Sequence, residues 1–144
     1  MMRAEAQDRE AVVAEARSWI GTSYHHHGRL KGVGVDCAQL LCEVFERMGL
    51  IPHVDPGNYP TDWHMHRGEE LFSNCLAQHA NRRDGERPDL GDVFLFKFGR
   101  TFSHGSIYVG NESVVHAYIG RGVEVCRFTE EPLEGREMQH WSFW

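Results

Sequence analysis

From Leu90 onward the hydrophobic period of this chain changes, and that change limits the folds open to it. Before it, apolar residues recur every three or four positions, the spacing a helix needs to bury one face. After it they come in short dense runs broken by glycine turns. Residues 92–98 (Asp-Val-Phe-Leu-Phe-Lys-Phe) are rich in aromatic and branched side chains and predict a strand. Residues 104–109, 114–119 and 123–128 predict three more, and 138–144 a further one. Gly99-Arg100, Gly110-Asn111-Glu112 and Gly120-Arg121-Gly122 mark the turns. Helices first and an antiparallel meander second give an α+β class, with the helices packed on one side of the sheet. A chain of 144 residues is long enough for a real core, and 1–144 is expected to be one domain.

The clearest helix starts at Cys37. Asp36 is a good N-cap and Gln39 completes a capping-box pattern. Leu40, Leu41, Val44, Phe45 and Met48 form the buried stripe, and Gly49 is the stop. An earlier helix is expected over 8–20, capped by Asp8, with Val12, Val13, Ala16, Trp19 and Ile20 inward. Another is expected over 68–81, with Leu71, Phe72, Cys75 and Leu76 inward. Between the first two, residues 22–34 read as a polar, glycine-rich loop containing Tyr24 and three consecutive histidines. Residues 50–63, with Pro52, Pro56 and Pro60, read as an extended connection, and 82–88 as a charged turn.

Composition removes several function classes. The net charge of −6 disfavours nucleic acid or acidic lipid as a partner. No apolar run approaches the ~20 residues of a membrane helix. The first eight residues lack the apolar centre of a signal peptide, so synthesis and folding in a cytoplasm are expected. The four cysteines, at 37, 42, 75 and 126, fit neither a zinc ribbon nor a disulfide scaffold. They read as reduced thiols, with Cys42, Cys75 and Cys126 as small core residues.

Cys37 is different, because the positive end of a helix favours its thiolate. Asp36 works against this, so a histidine is needed to activate the thiol. His104 and His116 lie on neighbouring strands. A three-residue loop at 110–112 would set Ser106 opposite His116 and His104 opposite Tyr118, placing both histidines on one face. They would then be diagonal neighbours about 7–8 Å apart at the backbone. Cys37, His104 and His116 could thus serve as nucleophile, base and orienter. An even loop without a bulge would turn His116 away. The alternative is two hydrogen-bonded core histidines and a core cysteine.

Three motifs resemble those of the NlpC/P60 cysteine peptidases. Residues 34–40 (Gly-Val-Asp-Cys-Ala-Gln-Leu) resemble their G-x-D-C-S-G-L signature, and 90–96 the strand before their catalytic histidine. Residues 104–110 (His-Gly-Ser-Ile-Tyr-Val-Gly) resemble H-x-G-I-Y-x-G, and His116 stands where the family has its third, orienting polar residue. The likeness covers nearly the whole chain. Residues 21–28, 62–70 and Ser142-Phe143-Trp144 resemble the compact phage and gene-transfer-agent branch associated with tails.

The resemblance implies a papain-like fold in which Cys37 attacks an amide carbon, His104 takes the thiol proton and His116 holds the imidazole. It implies bacterial peptidoglycan stem or crosslink peptides as substrate, commonly cut between γ-D-glutamate and a diamino acid. It also implies no cofactor, and phage tail proteins as partners. Tyr24 takes the place of a family tyrosine beside the nucleophile that helps around the oxyanion, or else packs on the core. Asp36 and Ser103 are candidates for binding polar groups of the peptide, although capping alone accounts for Asp36. Ala38-Gln39 departs from the usual Ser-Gly and bears on substrate preference. Two alternatives stand beside this reading. One is a non-catalytic structural or glycan-binding tail component. The other is a metal-dependent amidase using His25, His26, His27, His53, His64 or His66, although no HExxH or typical Cys/His zinc spacing occurs. These histidines read more simply as solvated loop residues.

Overall fold

The computed structural model describes residues 4–54 and 71–144. Its central helix is α2 (Cys37–Arg47), and its ends form as the local sequence dictates. Asp36 is extended and accepts the Gln39 N–H on Oδ1 at 2.9 Å. Leu40, Leu41, Val44 and Phe45 are buried along one side. Gly49, at φ 73°, supplies the left-handed turn that lets the Leu50 N–H reach Phe45 O at 3.0 Å and its own N–H reach Glu46 O at 2.9 Å.

The first helix, α1 (Glu5–Arg17), starts and ends three residues earlier than expected. Ala4 is the N-cap, so Asp8 lies inside the helix. After Arg17 the chain turns, which buries Trp19 and leaves Ile20 exposed. Arg9, a charge on the buried side, is held by Asp92 Oδ1 at 2.7 Å and Leu90 O at 2.9 Å. This ties α1 to the first residues of the sheet.

The third helix, α3 (Leu71–Ala77), is shorter than the span expected. Residues 68–70 of that span lie outside the described residues, as do 55–63 of the proline-rich connection. Beyond Ala77 the chain turns, and Asn81 and Arg82 pair with Ser142 and Trp141 instead of extending the helix. The face of α3 that is buried carries Phe72, Ser73 and Leu76, so Cys75 is exposed rather than in the core.

The main sheet contains β3 (Asn81–Arg82), β4 (Val93–Phe98), β5 (Thr101–Gly110), β6 (Ser113–Tyr118), β7 (Gly122–Arg127) and β8 (Met138–Ser142). Their spatial order is β3-β8-β4-β5-β6-β7, all neighbours antiparallel. Strands β4 to β7 are the expected meander. The terminal strand β8 returns beside β4, which places β3 on the edge. Within the loop read as irregular, β1 (Arg29–Leu30) pairs with β2 (Gly34–Val35).

Alternate residues of the sheet serve two cores. Val93, Leu95, Ile107, Val115 and Ala117 pack with the helices, while Phe94, Phe96, Val114 and Cys126 form a second cluster with Leu133. The second face is therefore covered by the segment after β7. This explains why β4 is apolar on both sides instead of alternating.

At Gly105 the helices come so close to β5 that an added Cβ would stand 2.6 Å from Phe72 Cζ and 3.0 Å from Leu41 Cδ2. Gly105→Ala is expected to cost about 1–3 kcal/mol by overpacking. A urea midpoint unchanged from wild type would refute this reading of the contact.

Candidate active site

Cys37 stands at the first position of α2, almost wholly buried. Its Sγ donates to Ser103 O at 3.7 Å and lies near the N–H of Gly105. The sulfur thus touches the backbone on both sides of His104. Burial pushes the thiol up to about 12, with the charge of Asp36 adding to it, while the N–H groups of Gly105, Ala38 and Cys37 pull the other way. At neutral pH Cys37 therefore rests as a thiol. Those N–H groups face the place where negative charge would gather. The contributions of Gly105 and Ala38 had no signal in the sequence, since a backbone donor has no residue type.

The two histidines reach one face by a route slightly different from the one expected. Asn111 and Glu112, at φ 52° and 57°, form a two-residue turn of the type that suits a hairpin. The pairs Ile107↔Val115 and Tyr108↔Val114 then give way to Gly110↔Ser113, so Val109 is an extra, bulged residue. An even turn plus one bulged residue has the parity of the odd loop expected. A second irregularity lies between β4 and β5, where Phe96 pairs with His104 but Lys97 pairs with Phe102, leaving Ser103 as the extra residue.

His104 Nε2 lies 2.8 Å from His116 Nδ1, with the rings nearly perpendicular. His116 Nε2 in turn lies 2.9 Å from Glu124 Oε2, directly across from it in β7. Arg121 Nη1 is 3.4 Å from the same oxygen. Tyr118 stacks on His116 and stands edge-on to His104. Burial lowers the pKa of His116, and this outweighs the opposing hydrogen bond and charge of Glu124. His116 is thus a neutral imidazole in a fully buried position.

Tyr24 is half-buried, bridges to Val35, and lies close enough to Cys37 and Asp36 that their charges, after burial, raise its phenol pKa. Asp36 is 1% exposed, and its Oδ2 accepts the His27 N–H at 2.8 Å while Oδ1 caps the helix. Its contacts are those of a cap and loop anchor. Ser103 is also buried and meets the sulfur through its carbonyl.

The loop histidines do not assemble a metal site among the described residues. His26 and His27 stack on each other, and His53 pairs with Glu46 at 2.7 Å. His64 and His66 lie outside the described residues. The His116, Glu124 and Cys126 ligand atoms do lie within 4.8 Å of one another. That grouping already has its charges matched, because Nε2 bonds Glu124 and Arg121 stands beside the carboxylate.

Residues 21–142 match the NlpC/P60 family. The chain is 28% identical over 122 residues to the murein DD-endopeptidase MepS/murein LD-carboxypeptidase of Escherichia coli K12, covering 83% of this chain. It spans about half, 54%, of that relative's length. Among solved structures, the NlpC/p60 domain of peptidoglycan hydrolase SagA superposes with a TM-score of 0.61 at 20% identity, covering 91% of this chain and 96% of that one. RipD of Mycobacterium tuberculosis, described as a non-catalytic NlpC/p60 domain protein adapted to peptidoglycan binding, gives 0.61 at 15% identity, with 96% and 98% covered. At these identities the superpositions speak for the fold. The family match across most of its length adds the sequence to that likeness, and the chain belongs to the NlpC/P60 family.

Proposed function

We propose that this protein is a cysteine peptidase that hydrolyses amide bonds in peptidoglycan stem or crosslink peptides. The observation that carries the reading is the Cys37 sulfur lying against the strand segment of His104, with His104 bonded onward to His116 and Glu124. The names of MepS and SagA, a murein endopeptidase and a peptidoglycan hydrolase, support the substrate class.

In the proposed cycle, Cys37 Sγ attacks the amide carbon as its proton passes to His104. The N–H groups of Cys37, Ala38 and Gly105, with Tyr24 nearby, steady the oxyanion. The C–N bond then breaks, and His104 returns the proton to the leaving amine. Water attacks the thioester with His104 as base, the C–S bond breaks, and the thiol is restored. The bond we favour is γ-D-glutamyl–diamino acid, and the setting a phage tail, on the likeness of residues 21–28 and 62–70 to that branch. Digesting purified muropeptides and weighing the fragments tests the reading and reports which bond is cut. Under reducing conditions, an alkylator should stop the reaction and a chelator should not. No new amine would favour a binding role of the kind named for RipD.

The pH dependence follows from His116 and Cys37. Folded His116 stays neutral below its ordinary 6.5, whereas the unfolded chain takes up the proton there, so stability falls as pH drops below about 6.5. Cys37 keeps its proton when folded but ionises when unfolded above 9.0, so stability falls again as pH rises from there toward about 12. Between these limits stability from the two groups is at its fullest. The value of kcat/KM is expected to hold through neutrality and fall below the ordinary histidine range, because protonated His116 can no longer accept a bond from His104. A fall that begins above pH 7 on acidification would contradict this.

A further inference from the structure

We propose that Glu124 is a positioning residue that fixes which nitrogen of each histidine carries the proton, so that His104 presents a bare Nδ1 to the thiol. This rests on the hydrolytic reading above, and it adds a fourth side chain to the three that the sequence singled out.

Glu124 sits opposite His116 in the β6–β7 register, with Oε2 2.9 Å from Nε2. A carboxylate can only accept, so the His116 Nε2 must carry a hydrogen. His116 is fully buried and burial keeps it neutral, so it has one ring proton and its Nδ1 is a lone pair. The atom 2.8 Å from that lone pair is His104 Nε2, which must therefore donate. In its one-proton form, His104 then has its lone pair on Nδ1. Reverse the first bond and the whole chain reverses: His104 would carry its hydrogen on Nδ1 and could not accept one from sulfur.

The surroundings hold this polarity in place. Arg121 lies 3.4 Å from Glu124 Oε2 and also reaches Glu131 Oε1 at 3.5 Å and Glu131 O at 3.3 Å. Its charge favours the ionised carboxylate, which can only accept, on the His116 side. Cys126 and Tyr118 are further titratable groups close to the pair. Tyr118 and Phe98 pack on the rings and limit their rotation. As positive charge grows on His104 during attack, the carboxylate two bonds away stabilises it, as in other triads.

The test reads ring tautomers and thiol reactivity, neither of which requires the natural substrate. Ring 15N shifts of histidine-labelled protein distinguish protonated from bare nitrogens. Wild type is expected to show hydrogen on Nε2 of both His104 and His116. In a Cys75→Ser background, which removes the exposed thiol, the rate of Cys37 alkylation by iodoacetamide is read across pH. Glu124→Leu should shift His104 toward the Nδ1–H form and lower the alkylation rate near neutrality, with kcat/KM on muropeptides down about 100-fold, the lower end of what a general base contributes. Glu124→Gln can keep an accepting oxygen on His116 but loses the charge, so it should retain the wild-type tautomers and lose less rate than Glu124→Leu. A wild-type His104 protonated on Nδ1 overturns the proposal whether or not the variants fold. So does Glu124→Leu with unaltered shifts and alkylation, or Glu124→Gln failing as badly as Glu124→Leu while its tautomers stay those of wild type. If the tautomers behave as expected but no muropeptide is cut, the failure lies in the substrate assignment.

Discussion

Cys37→Ala is expected to abolish muropeptide hydrolysis, by a factor on the order of 10^6, the scale seen when a covalent nucleophile is removed. The site cannot lend the role to another thiol. Cys42 and Cys75 lie on other turns of the helices, and Cys126 is in β7 behind His116. Replacing any of those three should leave turnover in place. Cys37→Ser is the sharper variant, because a hydroxyl fits the same N–H groups yet is a far weaker nucleophile. The rate should collapse while the urea midpoint stays near wild type. Hydrolysis retained in Cys37→Ala would dismiss the sulfur as the attacking atom. The thiol rests protonated here, pushed up to about 12 by burial and then by Asp36. In the proposed cycle, proton removal by His104 thus belongs to the attack itself rather than to a standing thiolate, and His104→Ala should lose about 10²–10⁴-fold.

Asp92→Ala is expected to cost about 3–5 kcal/mol of stability, a large share of the 5–15 kcal/mol of a typical domain. The carboxylate is 2% exposed and holds Arg9 on Oδ1 at 2.7 Å and His140 Nε2 on Oδ2 at 2.7 Å. It also accepts the Asp89 N–H at 3.0 Å. Arg9 is itself buried, its charge favoured by Asp92 and Glu5 against the cost of burial, and its guanidinium stacks 4.3 Å from the Trp144 ring centroid. Removing Asp92 would leave that cation with Glu5 and, at 3.6 Å, Asp89, both largely exposed, in place of a buried partner. The urea midpoint should fall with little change in slope, and kcat should survive wherever the chain remains folded. A loss under about 1 kcal/mol would mean the ion pair is offset by desolvation after all.

What the sequence made legible was local. The cap at Asp36, the stripe of α2 and the stop at Gly49 are decided within a dozen residues, and they stand where the pattern put them. Strands β4 to β7 announced themselves by composition. Arg9 was missed because its partner is 83 residues away, and a lone arginine among apolar positions reads as solvent-facing. Glu124 was missed for a related reason. In Val123-Glu124-Val125 it looks like the wet side of an edge strand. Register arithmetic that treats all of Gly120-Arg121-Gly122 as loop would pair His116 with Cys126. The structure pairs Tyr118 with Gly122, which brings Glu124 across instead. The return of β8 beside β4 depends on long-range pairing that no local signal carries.

The doubly used carboxylate of Asp36 separates two kinds of constraint that sit side by side in the motif. One oxygen takes an amide of the helix and the other an amide of the histidine loop, so the position calls for two acceptors on a short stem. Asparagine, serine and threonine each fall short. On the proposed function, a descendant that gave up hydrolysis and kept only its shape would be free to lose the cysteine but not its neighbour. In tracing which lineages still cut, the aspartate is silent, and the sulfur one step along is the informative letter.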